Sequence, residues 1–86
     1  MELELTDVEK RRHKVFIKSG QVHIVRKIEK LLTAVKENPF EGIGKPEQLR
    51  HQYSGKWARR INGEHRMVYA VDENLITIYS LRGHYN

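Results

Sequence analysis

The hydrophobic positions of this chain change their spacing twice along its length. Leu3 and Leu5 alternate with Glu2 and Glu4, the period of a short half-buried strand. Thr6-Asp7-Val8-Glu9 then fits the S/T-x-x-E capping box, in which the first and last residues satisfy each other's orphan amides, so a helix is predicted from near Asp7. Its apolar residues are few (Val8, Val15, Phe16), its other face carries Lys10, Arg11, Arg12, Lys14 and Lys18, and Gly20 is its predicted stop. The second helix is plainer. Val22, Val25, Ile28, Leu32 and Val35, with Ile24 and Leu31 beside them, follow helical spacing from about Gln21 to Glu37, and Asn38-Pro39 ends the run. Arg26, Lys27, Lys30 and Lys36 fall on its opposite, solvated side, and His13 and His23 are predicted as surface or boundary residues.

A loop rich in proline and glycine follows (Pro39, Gly42, Gly44, Pro46), and the period then drops to that of strands. Leu49 to Tyr53, Lys56 to Ile61, His65 to Val71 and Leu75 to Leu81 are the predicted strands, separated by Ser54-Gly55, Asn62-Gly63 and Asp72-Glu73-Asn74. Short connections make them an antiparallel meander. The predicted fold is α+β: an N-terminal strand and two helices packed on one face of a small, mainly antiparallel four- to five-stranded sheet, with the other face left for function. No repeat or linker interrupts the chain, so residues 1–86 are expected to form one domain. A two-residue loop at Asn62-Gly63 sets Arg59 opposite Arg66, and a three-residue loop sets Arg60 there. Either register places two arginines side by side, which costs a few tenths to about 1 kcal/mol unless an anion relieves it. The competing outcome is that the guanidinium groups splay into water, or that Glu47 or Glu64 neutralises them.

Composition narrows the partners. The 86 residues carry a formal net charge of +5 and a sequence pI near 9.7, which favours a polyanion, nucleic acid first and an acidic protein second. There is no cysteine, so neither disulfides nor thiolate metal sites are available, as expected of a reducing, cytoplasmic setting. The acidic start MELELTDVEK has no apolar signal region, and no apolar run approaches the ~20 residues of a membrane helix, so no membrane role is expected. A domain this small buries only about 60% of the surface its unfolded chain exposes, so a protein partner is expected to matter for stability too.

The charge is concentrated. Between Lys45 and Arg66 lie six cations (Lys45, Arg50, Lys56, Arg59, Arg60, Arg66) and two carboxylates, Glu47 and Glu64. An acid inside a cationic field suits base catalysis on an anionic substrate. RNA supplies its own nucleophile, the 2′-hydroxyl, so cleavage needs a base for that proton, cations for the phosphorane, and an acid for the leaving 5′ oxygen. Glu47, held behind Pro46, is the candidate base. Arg66 is the phosphate clamp, since a guanidinium donates to two oxygens at once. His84 is the acid, and Tyr85 can stack on a base. Arg59 and Arg60, one of which the hairpin sets beside Arg66, are the expected substrate-binding residues. His51, His65 and His84 lack metal-ligand spacing, so neither a metal ion nor another cofactor is expected.

Asn38 to Val71 with the terminal His84-Tyr85 resembles the YoeB-type toxins of the RelE superfamily of bacterial toxin–antitoxin systems. The runs that carry the resemblance are Pro39-Phe40-Glu41-Gly42, Gly44-Lys45-Pro46-Glu47, Leu49, Ser54-Gly55, Trp57, Arg59-Arg60-Ile61, Glu64-His65-Arg66 and Val68-Tyr69-Ala70-Val71. The resemblance implies a metal-independent ribonuclease that cuts mRNA in the ribosomal 30S A site and so inhibits translation. It implies Glu47 as base, Arg66 as phosphate stabiliser, His84 as acid and Tyr85 as an orienting residue, with Lys45, Arg50 and Arg60 holding phosphates. It further implies a YefM-type antitoxin whose disordered C-terminal segment wraps the toxin, a possible homodimer, and operator DNA bound only through the antitoxin complex. The chain departs from the pattern at Arg50, where lysine is expected, in a first helix (EKRRHKVFIKS) without the expected acidic and aromatic residues, and at Asn86, which extends past the usual terminal tyrosine. Two other readings compete: a toxin of the same fold that binds DNA gyrase, which would need no acid–base pair, and a non-catalytic nucleic-acid-binding module working through its basic hairpin.

Overall fold

A computed structural model of the protein describes residues 2–81; His84, Tyr85 and the rest of the predicted C-terminal segment lie outside the described residues. The chain runs β1 (Glu2–Leu5), α1 (Asp7–Lys18), α2 (Val22–Glu37), β2 (Glu47–Gln48), a single 3₁₀ turn (His51–Tyr53), β3 (Lys56–Arg60), β4 (Arg66–Asp72) and β5 (Leu75–Ser80). The strands form one sheet in the order β1-β5-β4-β3-β2, antiparallel except for β1, which pairs parallel with β5. The expected architecture is therefore present.

One face of the sheet holds the core. Trp57, Arg59 and Ile61 of the β3 side, Met67, Tyr69 and Val71 of β4, and Ile76 and Ile78 of β5 alternate onto this face and meet Phe16 of α1 and Ile28, Leu31 and Val35 of α2. The opposite face carries Glu47, Ala58, Val68 and Ser80, which follow one another across β2, β3, β4 and β5 as register partners. Ser80 joins this row because of a β-bulge. Val68 pairs with Ser80 while Tyr69 pairs with Ile78, so Tyr79 is an extra residue on β5.

Three expectations need correction. Leu49 to Tyr53 is not a strand. Pairing with β3 stops after Gln48, apart from a 2.9 Å bond from Leu49 N–H to the Lys56 carbonyl, and His51 adopts a left-handed φ of 58°, which no extended strand tolerates. In α1 only Phe16 of the three apolar residues enters the core; Val8 and Val15 are exposed, and Glu9 is buried instead. Thr6 does cap α1, its Oγ1 accepting from Glu9 N–H at 3.2 Å. The reciprocal half of the capping box is absent, because Thr6 N–H donates to the Ile78 carbonyl at 3.1 Å.

Candidate active site

The Gly/Pro loop is what brings Glu47 to the open face, and one side chain organises it. Arg59 is fully buried at 0% exposure. Its Nε donates to the Tyr69 hydroxyl (3.1 Å), its Nη1 to the Ile43 carbonyl (3.1 Å), and its Nη2 to the carbonyls of Asn38 and of Glu41 (2.9 Å to the latter). Tyr69 in turn donates to the Pro39 carbonyl at 2.6 Å. The loop is thereby pinned at four carbonyls by two side chains of the sheet. Burial pushes the Tyr69 phenol above its ordinary value of 10.0, against the opposing pull of the Arg59 guanidinium. Arg59 was expected to bind substrate. That assignment is corrected here, since its guanidinium is buried and its donors are used inside the protein.

Beyond the pinned segment the backbone makes a left-handed step. Gly44 has φ +86°, Lys45 has φ 52°, and the Gly44 carbonyl accepts from Arg60 N–H at 2.6 Å. A Cβ on Gly44 would lie 2.8 Å from Leu31 Cδ2 and 3.1 Å from Arg59 Cβ, so only glycine fits. Pro46 follows, and Glu47 starts β2 opposite Ala58.

Lys45, Glu47, Ala58, Arg60 and Arg66 line a small cavity of about 100 Å³ on the open face. Ala58 forms its floor, and a larger side chain there would fill it. The three-residue-loop register is the one observed. Ile61 N–H bonds the His65 carbonyl at 3.0 Å, and Arg60 pairs with Arg66. Arg66 Nη1 is steadied by the Asn62 carbonyl at 3.0 Å and the His65 carbonyl at 3.3 Å, while Arg60 is exposed. Among the described residues no carboxylate lies within ion-pair distance of either arginine, so neither Glu47 nor Glu64 neutralises the pair. The arrangement offers an acceptor base beside uncompensated guanidinium and ammonium groups, as a phosphodiester requires.

The other expected residues are placed differently. Arg50 is exposed just before the 3₁₀ turn and does not line the cavity. Among the described residues no three or more His, Cys, Asp or Glu side chains converge. A larger open groove of about 670 Å³ runs along the C-terminal half of α2, lined by residues such as Lys30, Glu37, Glu41 and Ile43; it brings no acid into a cationic field as the smaller cavity does. Sequence reasoning missed the loop-pinning pair Arg59 and Tyr69 and the burial of Glu9. For Glu9 a signal existed: it lies seven positions before Phe16, on the same side of α1.

The backbone matches that of the YoeB/ParE toxin from Agrobacterium tumefaciens with a TM-score of 0.89, covering 99% of this chain and 100% of that one at 36% identity. It also matches Staphylococcus aureus YoeB, solved in a YoeB–YefM complex and as a dimer, with a TM-score of 0.85 in both cases at 40% identity over 99% of this chain and 98% of that one. Fold and sequence thus define a toxin of the RelE superfamily. The family described as "YoeB-like toxin of bacterial type II toxin-antitoxin system" matches residues 9–85, and Toxin YoeB of Escherichia coli K12 is 52% identical over 62 residues, 72% of this chain and 74% of that relative. The chain belongs to the YoeB-like toxins of bacterial type II toxin–antitoxin systems.

Proposed function

We propose that this toxin is a ribosome-dependent mRNA endoribonuclease that cuts the message in the 30S A site. The observation that carries the reading is Glu47 on the wall of a cavity otherwise lined by Lys45, Arg60, Arg66 and Ala58. In the mechanism, Glu47 takes the proton of the 2′-hydroxyl, whose oxygen attacks the adjacent phosphorus. Arg66, oriented by the turn carbonyls, and Arg60 beside it stabilise the phosphorane charge, and Lys45 holds a neighbouring phosphate. The 5′ oxygen leaves with a proton from His84, giving a 2′,3′-cyclic phosphate and a 5′-hydroxyl; Tyr85 holds the base. No step requires a metal ion. Arg50, outside the cavity, serves the flanking phosphates of the message.

The partners follow from the same reading. A YefM-type antitoxin neutralises the toxin, as the YoeB–YefM pairing in Staphylococcus aureus suggests, and a homodimer is the second assembly to expect. Operator DNA is engaged only through the antitoxin complex. The setting is the bacterial cytoplasm; among the described residues no helix is long and apolar enough to cross a membrane.

The test is primer extension on message recovered from a cell-free translation reaction. Wild type is expected to leave discrete cuts in the translated message, with chelator used only in the control incubations on naked RNA. Glu47→Ala should lower the cleavage rate by about 10²–10⁴-fold, the usual contribution of a general base. Stalled translation on intact message would replace the nuclease by a binder, and undisturbed translation would move the target elsewhere.

A further inference from the structure

Glu9 is a buried acid that the proposed chemistry leaves without a role. Its side chain is 1% exposed, on the face of α1 that packs near the end of β5. The capping box would have kept it at the surface beside Thr6, but Thr6 N–H is already bonded to the Ile78 carbonyl. Glu9 instead reaches 72 positions along the chain, and its Oε1 accepts from Leu81 N–H at 3.1 Å. Its Oε2 has no hydrogen-bond partner among the described residues, and the Arg12 guanidinium stands 3.7 Å away.

That is an expensive way to fill a core position. Burying a carboxylate is unfavourable unless its bonds are needed, and well-packed apolar replacements of buried charges are often neutral or stabilising. The need is visible at Leu81. β5 ends at Ser80, directly after the Tyr79 bulge, so the ladder no longer holds the backbone there. The Glu9 carboxylate takes over as acceptor at the first residue past the strand.

We infer that Glu9 is a positioning residue for cleavage: it latches the end of β5 and so fixes the origin of the segment that carries His84. The inference rests on the nuclease reading above. The lengths are suitable. Strands lie about 4.8 Å apart, so Ser80 on β5 is about 14 Å across the sheet from Glu47 on β2. His84 lies three residues beyond Leu81, and three residues span at most about 11 Å. The position of Leu81 therefore sets where the three residues to His84 begin, and that acid must meet the leaving oxygen within hydrogen-bond distance.

The experiment compares single-turnover cleavage on programmed ribosomes by wild type, Glu9→Met and Glu9→Gln, with amide hydrogen exchange at Leu81. Methionine keeps the length and apolar stem but accepts no comparable bond, whereas glutamine keeps an acceptor oxygen. Glu9→Met should slow the cleavage step about ten- to a hundredfold, the scale of a catalytic group displaced by about an ångström, with ribosome affinity and thermal midpoint close to wild type. Glu9→Gln should restore most of the rate. Wild-type cleavage by Glu9→Met, or equal slowing in both variants, overturns the latch. If Glu9→Met does not fold, the wild-type protein still decides: Leu81 N–H should be protected from exchange, and a freely exchanging amide overturns the proposal. If wild type itself cuts no message, the nuclease reading is what fails, while the exchange measurement reports on the latch separately.

Discussion

Arg59 is a cation whose partners are all neutral: three backbone carbonyls and a phenol. Removing it leaves those groups buried and unsatisfied. Arg59→Met is expected to destabilise the protein by about 3–5 kcal/mol in a urea melt. Arg59→Lys should recover little, since an ammonium cannot span the forked set of acceptors. The neighbouring Tyr69 has an alkaline signature. Its folded value is raised above 10.0, so the unfolded chain loses the phenolic proton first. The stabilisation is complete below pH 10 and is lost as pH rises through the folded value. Urea melts across that range should show a steeper alkaline loss for wild type than for Tyr69→Phe. The sequence did contain the clue to Arg59. It sits two residues after Trp57 and two before Ile61, both on the core side, so alternation alone sends Arg59 inward and Arg60 outward. Charge does not distinguish the two arginines, whereas period does.

The loop between α2 and β2 is where local chemistry becomes site geometry. Its exit depends on Gly44, whose positive φ and tight surroundings exclude any side chain. Gly44→Ala should cost about 2–4 kcal/mol, combining left-handed strain with overpacking against Leu31 and Arg59. It should slow cleavage beyond the loss of folded protein, because Lys45 and Glu47 lie one and three residues on. A rate corrected for folded fraction, measured at low temperature, checks this. Elements with long periods were legible: α2 and the β3–β4 hairpin stand within a residue or so of their predicted spans. Elements decided by a single backbone angle were not. His51 turns the chain out of the strand predicted for Leu49 to Tyr53, and histidine carries no strong signal for a left-handed conformation. In α1, burial followed position rather than apolarity, so Glu9 went in and Val15 stayed out.

Across the molecule the helices and the cavity occupy opposite faces of one sheet, so the cavity face is free of the core-forming elements. The net charge of +5 supplies general attraction to a polyanion, and Lys45 and Arg60 supply the local part. Each of Lys45→Gln and Arg60→Gln should flatten the slope of log affinity against log salt by about 0.7–0.9 on an RNA whose reactive 2′-hydroxyl is methylated. An unchanged slope would remove that residue from the phosphate contacts. The α+β class and the acid in its cationic setting were readable from patterning and charge. The depth at which each charge sits was not, because burial is settled by contacts between residues far apart in the chain.

A sheet counts its side chains in twos, and the extra residue at Tyr79 makes the count odd. Ile78 and Leu81 both face the core, three positions apart, and Ser80 between them joins the row that begins with Glu47. The bulge therefore acts as a parity switch for everything downstream. Tyr79 itself is 44% exposed, with Lys56 Nζ 4.7 Å from its ring centroid, and a substitution there leaves the count unchanged. Removing one residue there would exchange the places of Ser80 and Leu81, setting a hydroxyl in the core and a leucine on the face that carries Glu47. A substitution at this position keeps the frame, whereas a deletion would break the alignment between the core side chains and the row that begins with Glu47.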